Sequence, residues 1–250
     1  MGSKFTFEHI FTQDEKSKIL LDSIQYKNVS VSGDTRFDRV SNQLRIDNSL
    51  PFIEKFIDNK QCIVFGSTWP EDDAVLLPFI NSTKEAIKFV VAPHKIDPKN
   101  INDFQRQLKK PSLRYSEINS THEAIQNSKV LVIDTIGLLT KIYSYADIAY
   151  VGGAMGNTGL HNILEAATFG VPIVIGKNFN KFPEAQRLQS LAGLFSVANE
   201  TDLHQTLQKL TTDASFRTKT GMIAGHFVNS NTGATAITLA YIRKELNKVS

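Results

Sequence analysis

Val151-Gly-Gly-Ala-Met-Gly-Asn-Thr-Gly-Leu-His-Asn-Ile-Leu-Glu165 is the stretch on which the fold turns. An apolar run over 148–151 enters glycines at 152, 153, 156 and 159, and a helical pattern begins near Asn162. Glycine lets the backbone approach a ligand closely, and a helix N-terminus adds partial positive charge, so such a turn suits an anion. It is not Walker A, which needs Gly-Lys-Ser/Thr, and it lacks the Gly-x-Gly-x-x-Gly spacing of a dinucleotide turn. The glycines alone fit a tight turn as well as a phosphate cradle. The polar residues that follow are more specific. His161 and Glu165 are four apart and would share one helical face, with Asn162 in the first turn. A carboxylate there can accept the two hydroxyls of a ribose diol; it would also be a favourable dipole partner. His161 reads equally as a packing or capping residue. A zinc pair is disfavoured, since no third ligand stands at suitable spacing.

Outward from that turn, short apolar runs recur at 9–12, 29–32, 62–65, 89–92, 130–133, 173–175 and 194–197. Most are continuously apolar rather than alternating, as strands covered on both faces are. Amphipathic segments separate them at 15–24, 49–58, 72–82, 98–108, 138–145, 162–169, 183–191 and 203–210. Strand alternating with helix predicts an α/β, Rossmann-like, doubly wound parallel sheet. Helices over 214–226 and 234–247 close the chain. We expect a single domain over 1–250, with the first βα elements (5–32) and the terminal helices (214–247) packed on it. The polar segment 32–39 is the best linker candidate, short of a boundary. The opening Met1-Gly2-Ser3 reads as an artificial start, and the abrupt entry into an apolar run leads us to expect a preceding domain.

Composition narrows the function class. The 250 residues are 41% hydrophobic and 21% charged, ordinary for a globular chain able to bury a core. Lys+Arg number 28 against 25 Asp+Glu, a formal net charge of +3. No basic run with interleaved aromatics makes a track for nucleic acid. A modest preference for anionic ligands or an anionic membrane surface stays open. Cys62 is the single cysteine, so an intrachain disulfide is excluded, and its setting reads as a buried strand position. No apolar stretch reaches membrane-spanning length.

In an open α/β sheet the ligand lies beyond the carboxyl ends of the strands, so the strand-to-helix turns are the places to search. Phe65-Gly-Ser-Thr-Trp-Pro-Glu71 places Ser67 and Thr68 where they would offer hydroxyls to a phosphate or carboxylate, or simply cap a helix. Val91-Ala-Pro-His-Lys95 offers His94 and Lys95 as positive charge. Ile133-Asp-Thr-Ile-Gly137 offers the Ile136 and Gly137 amides to a base or phosphate, or Asp134 and Thr135 as caps. Gly33-Asp-Thr-Arg-Phe-Asp-Arg39 is densely polar, and Arg36 is at least as suited to a structural ion pair or hinge as to a ligand. With Gly152, Gly153, His161, Asn162 and Glu165 these turns favour a nucleotide-sugar site. No Ser-His-Asp order, cysteine nucleophile or metal-spaced acidic cluster competes with it.

These strings, in this order, resemble the 3-deoxy-D-manno-octulosonic acid (Kdo) transferases. The resemblance runs through Gly33-Asp-Thr-Arg-Phe-Asp-Arg-Val40, Gly66-Ser67-Thr68, Pro93-His94, Asp134-Thr135-Ile136-Gly137, Tyr145 to Gly153, and His161-Asn162 to Glu165. It implies the C-terminal domain of a GT-B glycosyltransferase that binds CMP-Kdo for transfer to a lipid A precursor in lipopolysaccharide biosynthesis. It implies donor binding by Ser67, Thr68, His94, Lys95, Ile136, Gly137, Gly152, Gly153, His161, Asn162 and Glu165. It further implies a metal-independent inverting reaction whose base, a Glu, lies in an N-terminal domain absent from this chain. That domain would also carry the acceptor and membrane surface. On this reading the chain has no catalytic residue of its own and is inactive alone. The parent enzyme would work at the cytoplasmic side of a Gram-negative inner membrane. Two departures stand out: Ala92-Pro93-His94-Lys95 replaces Pro-Arg-His, exchanging a guanidinium fork for a point donor, and Gly159-Leu160 replaces Gly-Gly. Rival readings are another sugar-nucleotide transferase or epimerase, and a non-catalytic nucleotide-binding module.

Overall fold

The structure, a computed structural model, describes residues 7–120 and 122–248. Met1-Gly2-Ser3 and residues 5–6 of the expected first segment lie outside the described residues. The chain divides into two compact units, Ile46–Phe227 and the pair Met1–Arg45 with Val228–Ser250.

The larger unit holds β3 (Cys62–Thr68), β4 (Lys88–Pro93), β5 (Ser112–Arg114), β6 (Val130–Val132), β7 (Ile148–Val151), β8 (Ile173–Gly176) and β9 (Leu194–Val197). They form one parallel sheet in the order β5-β6-β4-β3-β7-β8-β9. β7 and β8 are buried at every position, and β3 and β4 at all but one each. That is why these runs lack alternation: helices cover both faces. Ile63, Phe65, Leu76, Ile80, Phe89 and Tyr150 make the centre of the core, each 0–1% exposed, and each such burial contributes about 1.5–3 kcal/mol. Cys62 is fully buried here as a small core residue. The chain leaves β3 for β4 and β6 on one side, then returns to place β7 on the other. The winding therefore reverses between β3 and β7, and in such sheets a crevice opens at this switch point, beyond the carboxyl ends.

Several elements differ from expectation. The helix expected over 162–169 is a single turn, Leu164–Ala167, so His161 and Asn162 belong to the loop before it. The Asn162 side chain accepts from the Leu164 amide (3.2 Å), a local bond that competes with helix start. At the other end Gly170 at φ 70° turns the chain out of it. The helix expected over 138–145 is Leu139–Ile142 followed by a 3-10 turn, Tyr143–Tyr145. β5 was not foreseen, because its three residues bury only Leu113.

In the smaller unit β1 (Ile10–Thr12) pairs in parallel with β2 (Val29–Val31) around the helix Glu15–Ser23. His9 and Phe11 rings pack against Tyr241 of the terminal helix Ala234–Leu246, at 4.5 and 5.4 Å. The segment read as a polar linker is instead a helix, Thr35–Ser41, capped by Asp34, which accepts from the Arg36 amide at 2.9 Å. Asp38 accepts from the Gly233 and Thr235 amides (2.6 and 2.8 Å) and the Thr235 hydroxyl (2.9 Å), tying this helix to the start of the terminal one. Much of the Gly-Asp-Thr-Arg-Phe-Asp string is thus explained by caps and ties.

Candidate functional site

The turn after β3 is built around a strained residue. β3 and β4 stay in register to Gly66, then shift so that Ser67 is skipped and Thr68 faces Pro93. Ser67 takes φ 54°, a left-handed conformation uncommon for a side chain-bearing residue. Strain of this kind costs of order 1–3 kcal/mol and collects at functional sites. The Ser67 hydroxyl has no hydrogen-bond partner among the described residues, and the Thr68 hydroxyl, in a residue 3% exposed, also lacks one.

Across the switch point the turn after β7 is held against it by Asp72, the third residue of the helix Pro70–Ser82. Asp72 is fully buried. Its carboxylate accepts from the Trp69 amide (2.9 Å), the Gly153 amide (2.8 Å) and the Tyr150 hydroxyl (2.7 Å). Bonds to a charged acceptor are worth about 1.5–3 kcal/mol each, and these three lock both turns into one surface.

Glycine is required at the closest approach. A Cβ on Gly152 would lie 2.4 Å from the Ser67 carbonyl oxygen and 2.8 Å from Asp72 Oδ2. One on Gly153, at φ 95°, would lie 2.1 Å from the Gly159 carbonyl oxygen. The amides of both glycines are engaged within the protein, Gly152 donating to the Gly66 carbonyl at 2.9 Å and Gly153 to Asp72. Close packing of the two turns, rather than an open pair of N–H groups, is therefore what these glycines provide.

The polar side chains gather on this platform. Trp69 donates its indole N–H to His161 Nε2 at 3.0 Å. The His94 ring stacks on Trp69 (4.8 Å, 22°) and on His161 (4.2 Å, 29°), and the Lys95 amine lies 5.0 Å from the Trp69 ring centre. Burial and the neighbouring His94 ring hold His161 below the ordinary imidazole range, with the Asp72 and Glu165 carboxylates pulling the other way. Glu165 is half-buried; its carboxylate accepts from the Thr140 hydroxyl (2.9 Å) and the Asn162 amide group (3.1 Å).

Not every expected residue joins this group. Ile136 is 86% exposed, and a side chain placed at Gly137, at φ 95°, would meet nothing within 4 Å. Both sit on an open turn after β6. Asp134 is no helix cap: its carboxylate accepts from the Ser116 amide (3.0 Å) and hydroxyl. Arg36 lies in the smaller unit, where its guanidinium pairs with Asp34 at 2.8 Å. Conversely, sequence reasoning passed over Trp69 and Asp72. The signal for Trp69 was its being the one tryptophan of the chain, set in a strand-to-helix turn. Asp72 was legible only as an acidic first-turn residue.

No family model matches the chain. It is 31% identical over 159 residues to the 3-deoxy-D-manno-octulosonic acid transferase of Rickettsia prowazekii (strain Madrid E), covering 62% of this chain and 34% of that protein. The chain is similar to this and further transferases of the same name. It spans well under two thirds of the length of these relatives. The solved C-terminal CMP-Kdo binding domain of WaaA from Acinetobacter baumannii shares the fold, with a TM-score of 0.61 at 20% identity over 78% of this chain and 99% of that one. So does a UDP-GlcNAc 2-epimerase from Neisseria meningitidis, solved with UDP-GlcNAc, at TM-score 0.64 and 18% identity, covering 94% of this chain and 61% of that one. The fold class is accordingly α/β, a Rossmann-like doubly wound parallel sheet of the kind seen in solved GT-B glycosyltransferase domains. Among the described residues no group of three or more His, Cys, Asp or Glu is arranged to hold a metal ion, and no helix is long and apolar enough to cross a membrane.

Proposed function

We propose that this chain binds CMP-Kdo as the donor half of a Kdo transferase acting on a lipid A precursor. The observation that carries the reading is the convergence of three strand ends at the switch point. The turns after β3, β4 and β7 bring Ser67, His94, Lys95 and His161 around Trp69 and Asp72, with Glu165 electrostatically coupled to His161. Unpartnered hydroxyls, imidazole N–H groups and one ammonium suit a ligand with a phosphate and a sugar carboxylate. In this assignment Glu165 accepts the ribose hydroxyls. Ser67, Thr68, His94, Lys95, His161 and Asn162 hold the anionic groups, while Gly152 and Gly153 keep the platform tight. The turn at Ile136-Gly137 contacts the cytidine.

Transfer would join an acceptor hydroxyl oxygen to the anomeric carbon of Kdo as the bond from that carbon to the CMP phosphate oxygen breaks. CMP leaves, and the hydroxyl proton passes to a carboxylate base. That base, the lipid acceptor surface and contact with the inner membrane of a Gram-negative bacterium are assigned to a part of the enzyme outside this chain. No metal is assigned a role. A uridine-nucleotide epimerase or transferase is the second reading, favoured by the likeness in fold to the epimerase. Calorimetric titration of the chain with CMP, UMP and CMP-Kdo separates the two. CMP and CMP-Kdo are expected to bind and UMP to bind at least about tenfold more weakly, a difference of about 1.4 kcal/mol. Preference for UMP would overturn the Kdo reading.

A further inference from the structure

Trp69 is a donor through its indole nitrogen and has no acceptor capacity there. Its hydrogen bond to His161 Nε2 therefore requires that nitrogen to be unprotonated. A neutral imidazole with Nε2 accepting carries its proton on Nδ1, so the partner on one nitrogen dictates the chemistry of the other. A second proton would set the Nε2–H against the indole N–H. The ring is held in place by the same neighbours: His94 stacks on it at 4.2 Å and on Trp69 at 4.8 Å. The groups facing His161 are His94, Trp69 and the carboxylates of Asp72 and Glu165. No protein partner for His161 Nδ1 is present among the described residues, so its N–H is left for something the protein does not supply.

We propose that Trp69 is a positioning residue that holds His161 as the neutral Nδ1–H tautomer, leaving that single N–H to donate to an anionic oxygen of the bound nucleotide sugar. The inference rests on the nucleotide-sugar reading for its ligand, while the tautomer itself does not depend on any ligand. A packing role for Trp69 would leave the His161 protonation pattern alone, which makes the two roles separable.

The test is a two-bond 1H–15N imidazole spectrum of the 15N-labelled chain, read with CMP titrations. In the wild type His161 Nε2 is expected to resonate as an unprotonated nitrogen and Nδ1 as a protonated one. Trp69→Phe keeps an aromatic ring but removes the donor. It should move the His161 proton toward Nε2 and weaken CMP binding on the order of tenfold, about one neutral hydrogen bond. His161→Asn keeps a side-chain N–H that needs no tautomer, and in that background Trp69→Phe should cost little more. A protonated Nε2 in the wild-type spectrum overturns the proposal, even should Trp69→Phe fail to fold. So does an unchanged tautomer in Trp69→Phe, or an equal affinity loss from Trp69→Phe in the wild-type and His161→Asn backgrounds. A wild-type chain with the expected spectrum but no affinity for CMP would sink the nucleotide reading and the ligand half of this proposal, not the positioning of His161.

Discussion

At the scale of the residue, Glu165 is the group on which the assignment of the ligand bears most directly. Thr140 and Asn162 aim its carboxylate from two sides, at 2.9 and 3.1 Å, so the orientation is set before any ligand arrives. A hydrogen bond to a charged acceptor is worth about 1.5–3 kcal/mol, so Glu165→Ala is expected to weaken CMP binding at least about tenfold. The variant should leave the far-ultraviolet dichroism unchanged, since Glu165 is only half-buried. Unchanged CMP affinity by calorimetry would remove Glu165 from the ribose. Residue identities were largely legible at this scale: Ser67, His94, Lys95, His161 and Glu165 stand out by chemistry and by lying after apolar runs. The roles of Gly152 and Gly153 were not. An open amide and an engaged one look the same in a sequence, and only the Asp72 carboxylate and the Gly66 carbonyl decide between them.

At the scale of the element, the first turn of the helix Pro70–Ser82 carries two adjacent aspartates in opposite conditions. Asp72 is satisfied by three donors. Burial pushes Asp73 up to about 7, with the Asp72 and Glu71 charges adding to this and the nearby Thr68 hydroxyl opposing it. Asp73 Oδ1 itself is buried without a hydrogen-bond partner among the described residues. The unfolded chain releases this proton near 3.8, the folded chain near 7. Between those values the native state binds the extra proton, so stability falls as pH rises through the window. Asp73→Asn removes the titration. Relative to this variant, the wild type is expected to lose on the order of 1–3 kcal/mol between about pH 4.5 and about pH 7.5. Urea midpoints of both proteins at the two pH values check it; parallel midpoints would show that Asp73 is solvated. The helices themselves were legible wherever they run several turns, as at Pro70–Ser82 and Ala234–Leu246. The single turn Leu164–Ala167 was not, since one turn carries no period to read.

At the scale of the whole molecule, the chain divides into two compact units. The smaller unit joins the first residues to the last through Asp38, which reaches Gly233 and Thr235 across 195 and 197 positions. Burial opposes the charge on Asp38, yet the two amides and the Thr235 hydroxyl outweigh it and hold the carboxyl below its usual range. Contacts so distant in sequence close a long loop, and units of this kind open separately in native-state exchange. Asp38→Ala is expected to speed amide exchange in the terminal helix about tenfold or more, with β3, β4 and β7 unaffected. Exchange rising equally in both units would show a single cooperative body instead.

The sequence by itself determined the doubly wound parallel sheet, the order of most strands and helices, the resemblance to the transferases, and the turns that end the central strands. These follow from local apolar periods and from strings of neighbouring residues, which need no knowledge of what lies across the sheet. Only the tertiary structure decided that Asp72 bolts the two central turns together, that Trp69 claims one nitrogen of His161, and that Arg36 stays with Asp34 in another unit. The first two depend on hydrogen bonds between residues 78 to 92 positions apart. Such bonds exist because β3 and β7 become neighbours when the winding reverses, a fact that no stretch of neighbouring residues contains.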